Sequence, residues 1–286
     1  MPIYLDPKND LTFKKVFGEH KHLCISLINS LLKFTGDSEV KEIEYDTGEL
    51  IPEIPALKDS IVDVRCKAKS GKQFIVEMQL LWSNSFKTRV LLNASKAFVK
   101  QLDKGMDYNL VEPVYSLNLV NDIFETSEDM KNEFYHHYKI VNIEHTNKQI
   151  KGLEFVFIEL PKYSPPNQEA QDYFDLWLRY MTEINEETRE IPSEFTDKQE
   201  FSEAVQYLRE SAYTKGQLQT YDRFKDAIKT QRTYIVDALA LGESIGEARG
   251  EARGIEKTAR QMKAKGLGIA LISEITGLPA EEIKLL

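Results

Sequence analysis

The stretch DSIVDVRCKAKSGKQFIVEMQ, residues 59–79, limits the possible folds more than any other part of the chain. Two alternating runs flank Ser70 and Gly71, the pattern of two strands joined by a tight turn. In the first run Val62, Val64 and Cys66 share one face, while Ile61, Asp63, Arg65 and Lys67 share the other. In the second, Phe74, Val76, Met78 and Leu80 lie opposite Ile75, Glu77 and Gln79. A hairpin that matches the two apolar faces must pair residues whose numbers sum to an even value, because a slip by one residue reverses every side chain. Sums of 140 or 142 suit a short loop with Gly71 in the left-handed position. Asp63 then lies opposite Glu77 or opposite Gln79, and the three converge on one patch.

The segments around this hairpin extend it into a sheet with helices. Asp10 opens LTFKKVFGEHKHLCISLINSLLKFTG, whose apolar residues at 13, 16, 17, 23, 27, 28, 31 and 32 have helical spacing, with a break expected near Gly18 and a stop at Gly36. VKEIEYD is a short strand candidate, followed by the proline-bearing connection ELIPEIPALKDS. After the hairpin, Phe86, Val90, Leu91, Ala94, Ala97, Phe98 and Leu102 predict a helix over roughly 84–104. PVYSLNLVNDI and LEFVFIELPKY read as buried strands, separated by a loop-like region that holds His136, His137 and His145. The order helix, three strands, helix, strand, strand predicts an α/β or α+β core with a mixed sheet.

From about Asn167 the chain reads as helical and acidic, and 216–265 as one long helix with Gly242, Gly246, Gly250 and Gly254 spaced by four. That spacing puts the glycines on one slowly drifting stripe, at a cost of about 1 kcal/mol each in helix propensity relative to alanine. A second helix could approach the stripe closely, so self-association as a homodimer is expected; a tolerant repeat of GEAR is the alternative. The tail ALISEITGLPAEEIKLL is a short helix, a Gly-Leu-Pro turn and a last helical turn, read as a capping or oligomerising element. The expected organisation is a main domain over 1–165, an acidic helical extension over 166–215 and a helical tail over 216–286.

Composition excludes several classes. No apolar run reaches the roughly 18 to 20 residues of a membrane helix and the N-terminus does not read as a signal peptide, so a cytoplasmic protein with no membrane partner is expected. Only Cys24 and Cys66 occur, too few for a disulfide framework or a four-cysteine zinc site. No G-x-x-x-x-G-K loop is present, so ATP is not implied. His20, His22 and Cys24, spaced by two on a helix, point apart and read as surface and core residues. The net charge of −9 hides an asymmetry. Residues 64–104 hold nine Lys or Arg against two acids, whereas 105–210 hold nine against twenty-two. A basic segment thus begins beside the two carboxylates, and residues 168–210 of the acidic one could lie over it and restrain it.

Two carboxylates a few ångströms apart repel unless a cation sits between them. Oxygen ligands suit Mg²⁺ or Mn²⁺, with water and substrate phosphate completing the shell. This points to metal-assisted attack on a phosphodiester, with Arg65, Lys67, Lys87 and Arg89 near enough in sequence to hold a phosphate backbone. The plain alternative is a solvent-exposed polar face on which Arg65 and Lys67 pair with Glu77 across the strands. Spacing alone does not decide between them.

DLTFKKVFG at 10–18, IVDVRCKAKSGKQFIVEMQ at 61–79 and RVLLNASKAFVKQLDKGMDYNLVEPVYSLNLVN at 89–121 together resemble the Rpn group of recombination-promoting nucleases and transposases, within the PD-(D/E)XK nuclease superfamily. The glycine-punctuated tail resembles that group too, so the likeness covers nearly the whole chain. It implies a restriction-endonuclease-like core and a metal-dependent DNA endonuclease acting in recombination, transposition or defence against mobile DNA. Carried over by position, Asp63 and Glu77 would ligate Mg²⁺ or Mn²⁺. Gln79 stands where the superfamily has lysine; it can orient water or phosphate but carries no charge. Lys67, on the same face, is the candidate for a relocated lysine. Asp10 matches an acid of the first-helix motif and either completes the metal site through water or serves as a helix N-cap. Lys14, one turn on, either reaches phosphate or pairs with Asp10. A different class remains open: a nuclease fold with little or no turnover, acting as a DNA-binding or oligomeric scaffold, for which Gln79 is the main support.

Overall fold

The computed structural model describes residues 3–46, 63–102, 105, 107–165 and 172–286. The connection read at 49–60, with Ile61 and Val62, lies outside the described residues, as does Asn167. Two compact units are present, Met1–Ile228 and Lys229–Leu286.

The first unit is built on a mixed sheet. Its strands are β1 (Ile43–Tyr45), β2 (Val64–Ala68), β3 (Gln73–Gln79), β4 (Val114–Val120), β5 (Tyr135–Val141) and β6 (Gln149–Glu159), in the order β1-β2-β3-β4-β6-β5. β3, β4 and β6 are parallel, and β1, β2 and β5 run antiparallel to their neighbours. The hairpin takes the sum of 140, with Val64 opposite Val76 and Cys66 opposite Phe74. Gly71 adopts φ +92°, a region open to glycine at little cost. A Cβ there would stand 2.6 Å from Cγ of Glu112.

Alternation then assigns the two faces of the sheet. Val64, Cys66, Phe74, Val76, Leu117, Leu119, Val156 and Ile158 face α2 (Lys21–Leu31), which buries Leu23, Cys24, Leu27, Ile28 and Leu31 against them. Ile75 and Val114 face the other way, under Ala94 and Ala97 of α3 (Phe86–Val99). The polar face of the hairpin is therefore covered by a helix over part of its length: Ile75 is fully buried and Glu77 is 4% exposed.

The first helical segment breaks where its glycine predicts. α1 (Asp10–Phe13) widens into a π-helical turn over Lys14–Gly18 before α2 starts. Tyr45 of β1 pins that turn by donating its hydroxyl to the Phe17 carbonyl at 2.7 Å. The stop comes earlier than Gly36. α2 ends at Leu31, and Lys33 takes the left-handed conformation (φ 56°). Phe34 then packs edge-on against Tyr115, while the Lys33 ammonium lies 4.3 Å from the Tyr135 ring centre.

Two corrections follow. The loop-like region before β6 contains β5, an edge strand whose alternation is concealed by polar residues on both faces. His136 is buried and donates to or accepts from Glu159 at 2.9 Å, while His137 meets Glu154 at 3.0 Å. The acidic region does not lie over the basic face. α4 (Tyr173–Glu183), α5 (Ser193–Thr196) and α6 (Gln199–Tyr207) form a further layer over α2, on the opposite side of the sheet from α3. Trp177, Tyr180, Phe195 and Phe201 are fully buried there, and Trp177 donates Nε1–H to Ser26 Oγ at 3.0 Å. The acids occupy the outer surface of these helices, apart from Asp175, which takes a hydrogen bond from Tyr163 at 2.9 Å.

α7 (Lys215–Ala264) is the predicted long helix. In the second unit it is followed by α8 (Ile269–Thr276) and α9 (Ala280–Leu285), with Ala259, Ile272 and Ile283 as their buried centre. Gly277 (φ 73°) terminates α8 in the left-handed cap that the Gly-Leu-Pro turn predicts.

Candidate active site

The site sits at the carboxyl end of β3. The register places Asp63, the residue just before β2, level with Glu77. Asp63 Oδ2 accepts the Met78 N–H at 2.6 Å, which fixes its carboxyl against the partner strand. Burial pushes the Asp63 carboxyl up to about 7; the charges of Asp10 and Glu77 add to the rise, while the Met78 N–H and Lys14 oppose it. Burial also raises Glu77, against the opposing effects of Asn93 and Arg89. Burial thus shifts both groups toward the protonated form despite the nearby Arg89 and Lys14.

Glu77 is held from α3. Asn93, fully buried, donates Nδ2–H to Glu77 Oε1 at 3.2 Å, and Arg89 Nη2 lies 3.7 Å from Glu77 Oε2. These two residues stand one turn apart, so a single helix face supplies both contacts. Arg89 also donates to Gln79 Oε1 at 2.7 Å, and Gln79 returns its amide N–H to the Leu81 carbonyl at 2.5 Å. The Arg65 and Lys67 pairing with Glu77 that a plain exposed face requires is absent. Arg65 meets Asp46 at 3.2 Å and Gln73 at 3.1 Å.

The remaining candidates separate into two groups. Asp10 and Lys14 join the site: they form an ion pair of 2.6 Å, and both are near enough to act on the charge of Asp63. Asp10 is not the N-cap, since Asn9 fills that place by accepting the Leu11 N–H at 3.0 Å. Arg65 and Lys67 point instead into a cleft of about 440 Å³ lined also by Asp46, Gln73, Lys100, Gln101 and Glu112. Lys67 is four residues along the strand from Asp63, roughly 13 Å at 3.3 Å per residue. Lys87 rests 4.5 Å from the Phe124 ring centre and 5.7 Å from those of Trp82 and Tyr138, enclosed by aromatic faces.

Sequence reasoning passed over Asn93. Its signal was present: it falls on the same helical stripe as Val90, Ala94 and Ala97, a lone amide among residues meant for the core. A buried amide in that position needs a polar partner, and Glu77 is the partner it finds.

Among the described residues no three His, Cys, Asp or Glu side chains converge into a ready metal cage. The donor set that exists is two carboxylates, both raised by burial, beside an Asn93 Oδ1 that is buried with no hydrogen-bond partner. Such a set fits a hard divalent ion that keeps several waters of its own, as Mg²⁺ does.

Comparison with curated proteins gives no match, and comparison with solved structures gives none either. A family model does match, over residues 7–238, the whole of the sheet, its helical layers and the first part of α7. That model describes the PD-(D/E)XK nuclease family transposases, and the chain belongs to that family.

Proposed function

We propose that the protein is a divalent-metal-dependent DNA endonuclease of the PD-(D/E)XK type. The observation that carries this reading is the placing of half-buried Asp63 beside buried Glu77 at the carboxyl end of β3, in a setting that raises both carboxyls from their ordinary values. A structural ion pair would give each acid a full partner. Here the cation that meets Glu77 among the described residues, Arg89, stands 3.7 Å away with its side chain 47% exposed. Asp63 and Glu77 would hold Mg²⁺ or Mn²⁺, and the bound ion supplies a Lewis acid for a phosphate oxygen and lowers the pKa of a water. The chain's own part is to orient. The Met78 N–H fixes Asp63, Asn93 fixes Glu77, and the Asp10–Lys14 pair borders the site from the first helical turn.

Substrate contacts follow from charge. Arg65 and Lys67 in the neighbouring cleft suit phosphates a nucleotide or two from the scissile one, and Lys14, paired with Asp10 at 2.6 Å, borders the scissile phosphate. Self-association through α7 belongs to the same reading. Among the described residues of its unit, a Cβ at Gly242, Gly246, Gly250 or Gly254 would meet nothing within 4 Å, which leaves their surface open to close approach, and Leu239 and Leu241 are exposed nearby.

The test is nicking of supercoiled plasmid with Mg²⁺, with Mn²⁺ and with chelator. Wild-type protein cuts only with the metal, and Asp63→Ala and Glu77→Ala lower the rate by about 10³-fold or more while their circular dichroism stays native. Cutting by either variant at the wild-type rate would refute the assignment.

A further inference from the structure

The name of the family specifies a lysine two residues after the second acid, and this chain has Gln79 there. The structure shows what Gln79 does instead. Its amide is fixed at both ends, with Nε2–H on the Leu81 carbonyl at 2.5 Å and Oε1 taking the Arg89 Nη2–H at 2.7 Å. Its oxygen is therefore committed to a guanidinium, which leaves it poorly placed to orient a water.

Arg89 is the residue that gains. Its guanidinium is held on three sides: by Gln79, by Glu77 Oε2 at 3.7 Å and by the Phe86 ring, 4.9 Å from its centre. Its side chain is still 47% exposed, so donors remain for a ligand arriving from solvent. Lys67, Lys87 and Arg65 lack this combination. Two line the neighbouring cleft and the third is enclosed by rings.

We infer that Arg89 is the cation of this site, supplied from α3 in place of the strand lysine, and that Gln79 is a positioning residue which aims it. This rests on the nuclease reading above. In the hydrolysis, water oxygen bonds to phosphorus, the bond from phosphorus to the leaving sugar oxygen breaks, one proton of the water is released and the leaving oxygen takes one up. Negative charge grows on the non-bridging phosphate oxygens, and Arg89 donates to them. A guanidinium presents two parallel N–H groups to a phosphate, where a lysine presents a point charge.

The experiment moves the charge. Plasmid cleavage and Mn²⁺ affinity, the latter by electron paramagnetic resonance, are measured on full-length wild type, Arg89→Ala, Arg89→Lys, Gln79→Leu and the double variant Gln79→Lys/Arg89→Ala. Arg89→Ala should lower kcat by about 10²-fold or more with little change in KM, and Mn²⁺ should bind no more weakly. Gln79→Leu should lower kcat by about tenfold with Mn²⁺ affinity intact, as expected of lost aim rather than lost charge. The double variant should recover about tenfold or more over Arg89→Ala, because a lysine at 79 reaches the same phosphate.

The inference is overturned if the double variant is no better than Arg89→Ala, if Arg89→Ala cuts like wild type, or if its Mn²⁺ affinity falls in step with its rate. Arg89→Lys keeps the charge and guards against misfolding of the alanine variant; a rate equal to that of Arg89→Ala would count against a role for charge. Failure of the nuclease reading is separate and visible in the controls: a wild type that cuts with no divalent ion removes that reading and this assignment with it.

Discussion

At the level of single residues, Asp63 carries a consequence that can be measured without substrate. Its carboxyl titrates near 7 in the folded chain, chiefly through burial, and near the ordinary aspartate value when unfolded. The folded state then binds the extra proton between about pH 4 and pH 7, so its contribution to stability is fully present below about pH 4 and is lost as pH rises through 7. Asp63→Asn keeps an oxygen for the Met78 N–H and carries no charge. Metal-free Asp63→Asn should therefore melt several degrees above wild type at pH 8 and level with it at pH 4, measured by calorimetry in chelator. Saturating Mg²⁺ should raise the wild-type melting temperature at pH 8 and leave that of the variant almost unchanged, since the ion needs the deprotonated ligand. The convergence of Asp63, Glu77 and Gln79 was legible in the sequence because parity puts all three on one face, while the choice of Glu77 as the residue level with Asp63 came only with the sum of 140. The burial of Glu77 was not legible, because the residues that hold it, Arg89 and Asn93, belong to a helix whose packing partner no local pattern names.

Among elements, the β2–β3 hairpin carries the site, and Gly71 is its weakest point. An L-residue at φ +92° is strained, and its Cβ would meet Glu112 Cγ at 2.6 Å, well inside van der Waals contact. Gly71→Ala should cost about 2 kcal/mol, read as a lower urea midpoint at unchanged slope. The register should survive, because the apolar faces of both strands still demand an even sum, and plasmid cleavage at low temperature should stay within about threefold of wild type. The same parity explains why the hairpin was readable while β5 was not. Tyr135–Val141 is polar on both faces, and its one deeply buried side chain is His136, which enters the core only because Glu159 waits there with Lys162 at 2.6 Å on its other side. A buried histidine held by a hydrogen bond carries no hydrophobic period. The layer of α4 and α6 escaped for a related reason: its net acidity is real, but it belongs to the outer surface, while Trp177 and Phe201 make the contacts that place the helices.

For the whole molecule, the division into Met1–Ile228 and Lys229–Leu286 separates two kinds of requirement. Every residue assigned here to metal, phosphate or their support lies in the first unit, and so does the main core, from Tyr4 to Leu208. The second unit contributes a small apolar centre and a glycine stripe that no described residue of that unit covers. Four glycines in one helix lower its stability by roughly 4 kcal/mol in sum relative to alanine, a large deficit for the exposed stretch of helix that carries them. A second copy packed on the stripe would offset it, and Glu247, Arg249, Glu251 and Arg253 beside the glycines provide charges of both signs for an antiparallel partner. Changing all four glycines to alanine should then act in opposite directions on two readouts. Helical signal should rise, because each alanine favours the helix and meets no neighbour within its own chain. Apparent mass by light scattering should fall to that of a single chain, because the added methyl groups keep two helices apart. Cleavage per chain should persist if the site is complete within one copy, and a fragment ending at residue 228 should show the same monomeric mass and the same metal-dependent nicking. A variant that gains helix yet keeps its oligomeric mass would place the contact elsewhere and leave the glycines as a repeat without a partner.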